Sequence, residues 1–292
     1  MARDELLLGA VAYDPKVVTI WDGFQRFFAA QGLPFDYLLT TSYERLVDLQ
    51  LAGEVDVAWN SPLAWIQAER VARARGRTAR AVAMRDTDQD LASVVVVRAE
   101  TPLRAPADLR GKRLGLGAKD SPQAALIPLL ELERAGLAPG SYEAVWHDVL
   151  VGKHGDHVGG ERDAVKALLA GEVDAACLLD SNQLLFAREG TLPAGAVRVL
   201  LRTRPFDHCN FTVLDPPHPR QARFLELLMG MRYEDPAVRG LMDLEGLKAW
   251  RPGRTSGYAL LEAAVDRAGA WSQAGLSGVG ELAEWLAARG VR

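Results

Sequence analysis

The segment VGKHGDHVGGE (151–161) places two histidines and two carboxylates within eight residues, namely His154, Asp156, His157 and Glu161. Imidazole and carboxylate sets of this kind bind zinc or iron, so His154, His157 and Glu161 form a candidate metal site. Glycines interrupt the segment and argue against a continuous helix, so the two histidines cannot be treated as neighbours on one helix face. Three interpretations stay open: a metal site, a loop that contacts or gates a ligand, and a solvated loop.

A second pattern places polar residues directly after three predicted strands. These residues are YDP (13–15), NSP (60–62) and KDSP (119–122). In each case an Asp or Ser suits the N-cap of a helix and the proline suits its first position. Open α/β sheets bind ligands at the carboxyl ends of their parallel strands, and the free N–H groups of a helix start favour an anion or a polar oxygen there. The sequence therefore predicts three junctions at a ligand-binding edge.

Strand-length apolar runs alternate with helical patterns along the chain. The predicted strands are 5–12, 35–41, 55–60, 80–85, 92–98, 112–118, 142–149, 173–179, 196–203 and 209–214. The predicted helices are 15–30, 43–52, 62–75, 122–135, 161–170 and others from about 219 onward. This alternation predicts an α/β fold with mostly parallel sheets flanked by helices.

An internal echo indicates that there are two sheets rather than one. LQLAGEVDVAWNSP (49–62) recurs as ALLAGEVDAACLLD (167–180). A helix that ends at glycine, a turn and a buried strand explain each copy locally, and the repetition suggests one equivalent βαβ lobe in each half. We expect lobe one to comprise 1–98 plus 208–292 and lobe two to comprise 99–207.

Composition narrows the function classes. A net charge of −4 over 292 residues argues against a nucleic-acid partner, and no apolar run approaches the ~20 residues of a membrane span, so membrane insertion is not expected. The two cysteines have no metal-type spacing. No signal peptide is recognisable, so the chain as written is expected to be cytoplasmic; a trimmed signal would make it periplasmic or otherwise extracytoplasmic.

Five segments carry a resemblance to a known family. They are GAVAYDP (9–15), YERLVDLQLAGEVDVAWNSPLAW (43–65), ADLRGKRLGLGAKDSPQAALIPLLELERAGL (107–137), AGEVDAACLLD (170–180) and MRYEDPAVRGLMDLEGLKAW (231–250). The chain resembles the type 2 periplasmic-binding-protein fold and, within it, the phosphate/phosphite/phosphonate-binding proteins of ABC transporters. The resemblance implies a small-molecule ligand in a cleft between the two lobes, closure of the lobes over it, and an ABC permease as a possible partner.

The resemblance also implies which residues line the ligand site. Carried over by position, and joined by polar neighbours at the same edge, the candidates are Tyr13, Asn60, Ser61, Asp120, Ser121, Gln123, His157, Glu161, Asp180 and His208. Two departures favour a ligand with amine, metal or neutral polar character over phosphonate itself. Asp120 would repel a phosphonate dianion. Glu161 stands where the family carries a histidine, behind the additional loop GKHGDHVGG (152–160).

The leading hypothesis is a non-catalytic solute-binding protein that captures a small polar or charged metabolite by lobe closure and needs no cofactor. The alternative is a cytosolic enzyme on the same scaffold, possibly dependent on zinc or iron, akin to the pyrimidine-precursor synthases of thiamine biosynthesis. No nucleophile–base pair is recognisable in the sequence, so no catalytic residue can be assigned.

Overall fold

The computed structural model describes residues 4–276 and 278–291, which form two compact units. The described parts of the first unit are 4–89, 207–258 and 289–291, and those of the second are 90–206 and 259–288 apart from residue 277. The sequence predicts 90–98 and 259–288 in lobe one and residue 207 in lobe two, whereas the structure groups 90–98 and the described part of 259–288 with the second unit and 207 with the first. Glu133 of the second unit contributes to the placement of 259–288, because it accepts hydrogen bonds from the side chains of Arg267 and Trp271.

The helices and strands are numbered in chain order. They are β1 (Leu6–Val11), α1 (Lys16–Ala30), β2 (Phe35–Thr40), α2 (Tyr43–Leu51), β3 (Val57–Asn60), α3 (Pro62–Ala74), β4 (Ala79–Arg85), β5 (Ser93–Arg98), β6 (Arg113–Leu116), α4 (Ile127–Arg134), β7 (Glu143–Trp146), α5 (Gly159–Ala170), β8 (Ala175–Leu179), α6 (Asp180–Arg188), β9 (Val197–Arg202), β10 (Asn210–Leu214), α7 (Gln221–Gly230), α8 (Pro236–Glu245), β11 (Trp250–Pro252), α9 (Ala259–Gln273) and α10 (Glu281–Ala287). The ten predicted strands correspond to β1–β10, while α6 and β11 were not predicted. Within the described part of the chain, no helix is both long and apolar enough to cross a membrane.

The first unit is built on a six-stranded sheet in the order β11-β4-β10-β3-β1-β2. Strand β1 pairs in parallel with β2 and β3, whereas β10 pairs antiparallel with β3 and β4. Strands β1 to β4 therefore run in one direction, with β10 inserted against them. Helix α1 buries one face of spaced apolar residues, which packs with aromatic side chains from β2, β10 and α7 into one core (Val17, Ile20, Trp21, Phe24, Phe28, Phe35, Phe211, Phe224).

The second unit repeats this plan in a five-stranded sheet with the order β7-β6-β8-β5-β9. Strand β6 pairs in parallel with β7 and β8, and β5 is inserted antiparallel between β8 and β9. Four of the five strands again share a direction. The α/β prediction of two helix-flanked, mostly parallel sheets is confirmed.

The repeated AGEVD sequence has the same structural role in both units. In the first, the carboxylate of Asp56 accepts the N–H of Leu7 at 2.8 Å, and the Asp56 N–H donates to the Leu7 carbonyl. In the second, Asp174 makes the same two contacts with Arg113. Each aspartate lies just before one strand (β3 or β8) and bonds to the start of the strand beside it (β1 or β6). This shared contact gives a physical reason for the repeated sequence.

Candidate functional site

The junction after β3 combines a capped helix start with a buried amide. The Ser61 hydroxyl oxygen accepts the N–H of Ala64 at 3.1 Å and caps α3. Asn60 is fully buried, and its side-chain N–H group donates to Gln50 at a long 3.4 Å. The Asn60 side-chain oxygen has no hydrogen-bond partner among the residues that the structure describes. A buried, unsatisfied acceptor costs free energy, so this oxygen suits a donor from a bound molecule.

The junction after β1 is more exposed. The Asp14 carboxylate accepts the N–H of Lys16 at 2.9 Å, and α1 begins at Lys16, one residue later than the pattern predicts. Tyr13 is half-buried, and the Lys16 ammonium lies 5.7 Å from the centre of its ring. This junction therefore presents a phenol ring and a cation.

The junction after β6 begins with a π-helical turn (Pro122–Leu126) rather than a regular α-helix. Ser121 caps the turn by accepting the N–H of Ala124 at 3.1 Å. Pro128 has no N–H to offer to Ala124, and the Ala124 carbonyl accepts the N–H of Gly117 at 3.0 Å instead. The missing N–H of Pro128 thus leaves the Ala124 carbonyl available to tie the turn to the end of the strand.

The loop between β7 and α5 closes onto this turn. The Asp120 carboxylate accepts the N–H groups of Gly152 and His154, so its charge is used to hold the loop. The Gly155 carbonyl accepts a hydrogen bond from the side chain of Gln123 at 2.6 Å. Gly155 has a φ of +76°, and a Cβ atom there would lie 2.4 Å from the Ser121 hydroxyl. Only glycine fits this position without displacing the loop or the serine.

Glu161 is a buried carboxylate, 2% exposed, at the start of α5. One oxygen accepts the N–H of Leu179 at 2.8 Å and the side-chain amide of Asn182 at 2.7 Å. The other accepts the side-chain amide of Gln123 at 3.3 Å. All three of these donors are uncharged. The side-chain oxygen of Gln123 is buried and has no hydrogen-bond partner within the described parts of the chain.

The predicted metal ligands do not converge. The Nδ1 atom of His157 accepts the N–H of Gly159 at 3.3 Å, and burial lowers the pKa of this imidazole. His154, which is part of the loop between β7 and α5, is fully buried. In residues 4–276 and 278–291, the potential ligand atoms of His154, His157 and Glu161 do not form a group within 4.8 Å of one another, whereas those of Asp88, His208 and Cys209 do.

The remaining two candidates, Asp180 and His208, belong to different units. Asp180, in the second unit, pairs with Arg202 and accepts the side-chain amide of Gln183 at 3.0 Å, beside a pocket of about 420 Å³. His208, in the first unit, is buried, and its Nδ1 atom lies 3.1 Å from the sulfur of Cys209.

The structure thus distributes the candidates over both units. Tyr13, Asn60, Ser61 and His208 belong to the first, and Asp120, Ser121, Gln123, His154, His157, Glu161 and Asp180 belong to the second. Asn182 was not among the predicted site residues, although the polar run DSNQ directly after a predicted buried strand could have indicated it. Asp88 was also missed. Its carboxylate accepts two hydrogen bonds from the Arg85 guanidinium. Burial alone would raise the pKa of Asp88, but the guanidinium lowers this pKa to about 2.

Comparison with known families decides the class of protein. Residues 11–258 match the family described as ABC transporter, phosphonate, periplasmic substrate-binding protein. The chain belongs to this family. It is therefore a solute-binding protein that associates with an ABC transporter, as the leading hypothesis predicts, and no comparison supports the enzyme alternative. Family membership implies an extracytoplasmic location rather than the cytoplasmic one expected first.

Solved structures support the same fold. The protein is similar to PhnD1 from Prochlorococcus marinus in complex with methylphosphonate, with 15% identity, a TM-score of 0.68, and coverage of 90% of this chain and 98% of that chain. It is also similar to XAC2383 from Xanthomonas citri, at 18% identity and a TM-score of 0.66, over 97% of this chain and 99% of that one. The protein is similar as well to a binding-protein component of an ABC phosphonate transporter from Pseudomonas aeruginosa, with 12% identity and a TM-score of 0.64, over 99% of this chain and 95% of that chain. At these identities the likeness concerns the fold.

Proposed function

We propose that this protein captures a small phosphonate-class solute that also carries a hydrogen-bond-donating group such as a primary amine, and presents it to an ABC permease in the periplasm. The observation that carries the proposal is the buried Glu161 carboxylate beside the unsatisfied side-chain oxygen of Gln123, within the described part of the chain. A solute-binding protein gains specificity by satisfying such buried groups with its ligand and rejecting ligands that leave them unpaired.

The acceptor-rich character of this cluster supports an amine. Glu161 receives hydrogen bonds from two side-chain amides and one backbone N–H, and the guanidinium of Arg162, which pairs with Glu189, interacts with it electrostatically. A buried carboxylate favours a positively charged partner strongly, because little water is present to solvate it. An ammonium group offers three donors and a positive charge, which suit the Glu161 carboxylate and the Gln123 oxygen together.

The serine-capped helix starts support an anionic head group. Ser61 and Ser121, one in each unit, are both buried at the carboxyl ends of parallel strands, and the dipole of the helix that follows each of them favours an oxyanion. One oxygen of the Asp120 carboxylate accepts the N–H groups of Gly152 and His154, which offsets part of the repulsion between this carboxylate and an anion. PhnD1, which shares the fold, was solved with methylphosphonate. The net charge of −4 supports a small solute over a nucleic-acid partner.

Isothermal titration calorimetry with three matched compounds tests the proposal: 2-aminoethylphosphonate, ethylphosphonate and ethylamine. We expect the aminophosphonate to bind at least about tenfold more tightly than ethylphosphonate, and ethylamine not to bind measurably. Glu161→Gln should remove most of the difference between the first two compounds. Glu172→Gln, the same change at an exposed position near the other end of α5, should leave it intact.

Two results would contradict parts of this proposal separately. Equal affinity for ethylphosphonate and 2-aminoethylphosphonate would refute the amine. A failure of both compounds to bind, or to raise the melting temperature, would refute the phosphonate class.

A further inference from the structure

Asp88 and the pair His208-Cys209 come from distant parts of the sequence and meet inside the first unit. The backbone N–H of His208 donates to the Asp88 carbonyl at 2.8 Å, which aligns the two segments. All three side chains are buried. The His208 Nδ1 atom lies 3.1 Å from the Cys209 sulfur and 3.7 Å from a carboxylate oxygen of Asp88. One imidazole, one thiol and one carboxylate therefore lie within 4.8 Å of one another.

We propose that Asp88, His208 and Cys209 form a binding site for a divalent transition-metal ion of the zinc class. Zinc takes sulfur at ~2.3 Å and nitrogen or oxygen at ~2.0–2.2 Å in a tetrahedron, which places neighbouring ligand atoms roughly 3.3–3.6 Å apart. The distance of 3.1 Å from the His208 Nδ1 atom to the Cys209 sulfur lies just below this range, and the distance of 3.7 Å from the same nitrogen to the Asp88 carboxylate lies just above it. The three ligand atoms lie within 4.8 Å of one another, so small side-chain movements close the set, and water completes the fourth position.

The charge of the surrounding cluster favours a cation. Arg85 donates to Asp88 at 2.7 and 2.8 Å and to Glu245 at 3.3 Å, so one guanidinium faces two buried carboxylates. Arg85, Asp88 and Glu245 together carry a net charge of about −1. Binding of a divalent ion releases the thiol proton to solvent and leaves a thiolate on the metal, and the net charge becomes zero. A neutral buried cluster costs less than a charged one.

The ligands are also held by outer contacts, as in established metal sites. The bidentate pair with Arg85 orients the Asp88 carboxylate, and the Arg85 guanidinium lies 5.1 Å from the Trp59 ring. The hydroxyl of Tyr258 donates to the His208 carbonyl at 2.8 Å and fixes the backbone there. The metal would therefore bind a site whose geometry the fold has already arranged, independently of the solute.

Cobalt(II) provides a test that needs no disruption of the site. The chain contains two cysteines, and Cys177 lies in β8 of the second unit. In a Cys177→Ala variant, treated with chelator and then loaded with one equivalent of Co²⁺, a thiolate-to-cobalt absorption band must arise from Cys209. We expect this band, its displacement by Zn²⁺, and a rise in melting temperature with either metal. Absence of the band and of any metal-dependent stabilisation would overturn the proposal.

Zinc titration of matched cysteine variants gives the second measurement. Cys177→Ala should keep one zinc equivalent, whereas Cys209→Ala and His208→Ala should each weaken binding by more than about 100-fold, since loss of an outer contact alone costs 10–100-fold. Circular dichroism and the melting temperature without metal report whether each variant folds. If folded Cys209→Ala and His208→Ala both keep wild-type zinc affinity, or if His154→Ala alone removes it, the assignment to Asp88, His208 and Cys209 is wrong.

Discussion

Replacement of Gly155 by alanine tests how tightly the loop before α5 packs on the start of the π-helical turn. The backbone there has a φ of +76°, and the added Cβ would lie 2.4 Å from the Ser121 hydroxyl oxygen and 2.7 Å from the side-chain nitrogen of Gln123. Ser121 cannot turn away freely, because its oxygen caps the turn at Ala124. We therefore expect the loop to move and to lose the 2.6 Å hydrogen bond between Gln123 and the Gly155 carbonyl.

The expected cost has two parts. A left-handed backbone costs a residue with a Cβ about 1–2 kcal/mol. Loss of the buried hydrogen bond leaves a donor or an acceptor unsatisfied and adds about 1–3 kcal/mol. Together they predict a loss of about 2–5 kcal/mol in the free energy of unfolding of the second unit.

Gly190→Ala is the matched control, because Gly190 lies in the same unit at φ +81°, and a Cβ added there would meet no atom of the described residues within 4 Å. This variant should lose only the backbone part, about 1–2 kcal/mol. Thermal denaturation distinguishes the two, since 1 kcal/mol corresponds to about 2–4 °C for a unit of this size. Equal losses in Gly155→Ala and Gly190→Ala would refute the contact between the loop and the turn.

Two further predictions concern stability. Tyr258→Phe should lower the free energy of unfolding by about 2–4 kcal/mol, because the Tyr258 hydroxyl accepts a hydrogen bond from the Asn210 amide at 2.9 Å and donates one to the His208 carbonyl, both buried. Tyr233→Phe, which removes an exposed hydroxyl, should lower it by less than about 1 kcal/mol in the same urea titration. Similar losses in the two variants would contradict the prediction. Burial lowers the pKa of His147 despite nearby carboxylates, so the folded protein binds fewer protons than the unfolded chain below pH ~6.5, and stability should fall as pH falls from 7.5 to 5.5. His147→Gln should flatten that dependence, and an unchanged slope in urea midpoints against pH would exclude this cause.

Most of the secondary structure could be predicted from the sequence because its signals are local. Apolar runs bounded by glycine and proline indicated strands β1–β10, and Ser61 and Ser121 before prolines indicated two helix starts that the structure caps as expected. Helix α6 was missed because only Asn182 and Phe186 are buried on it, so it shows no clear apolar face. Strand β11 has three residues and contains Pro252, too little for any periodic pattern.

The sequence by itself thus determined the α/β class, the two repeated βα units and the polar junctions at their strand ends, since each depends on residues close together in the chain. Only the tertiary structure decided which distant side chains meet. It placed Asp120 against its neighbouring loop, placed the Gln123 and Asn182 side chains on Glu161, and brought Asp88 to His208 and Cys209 rather than grouping His154, His157 and Glu161. The physical reason is that sheet order and loop packing set the distances between side chains far apart in the sequence, and neither can be inferred from local periodicity.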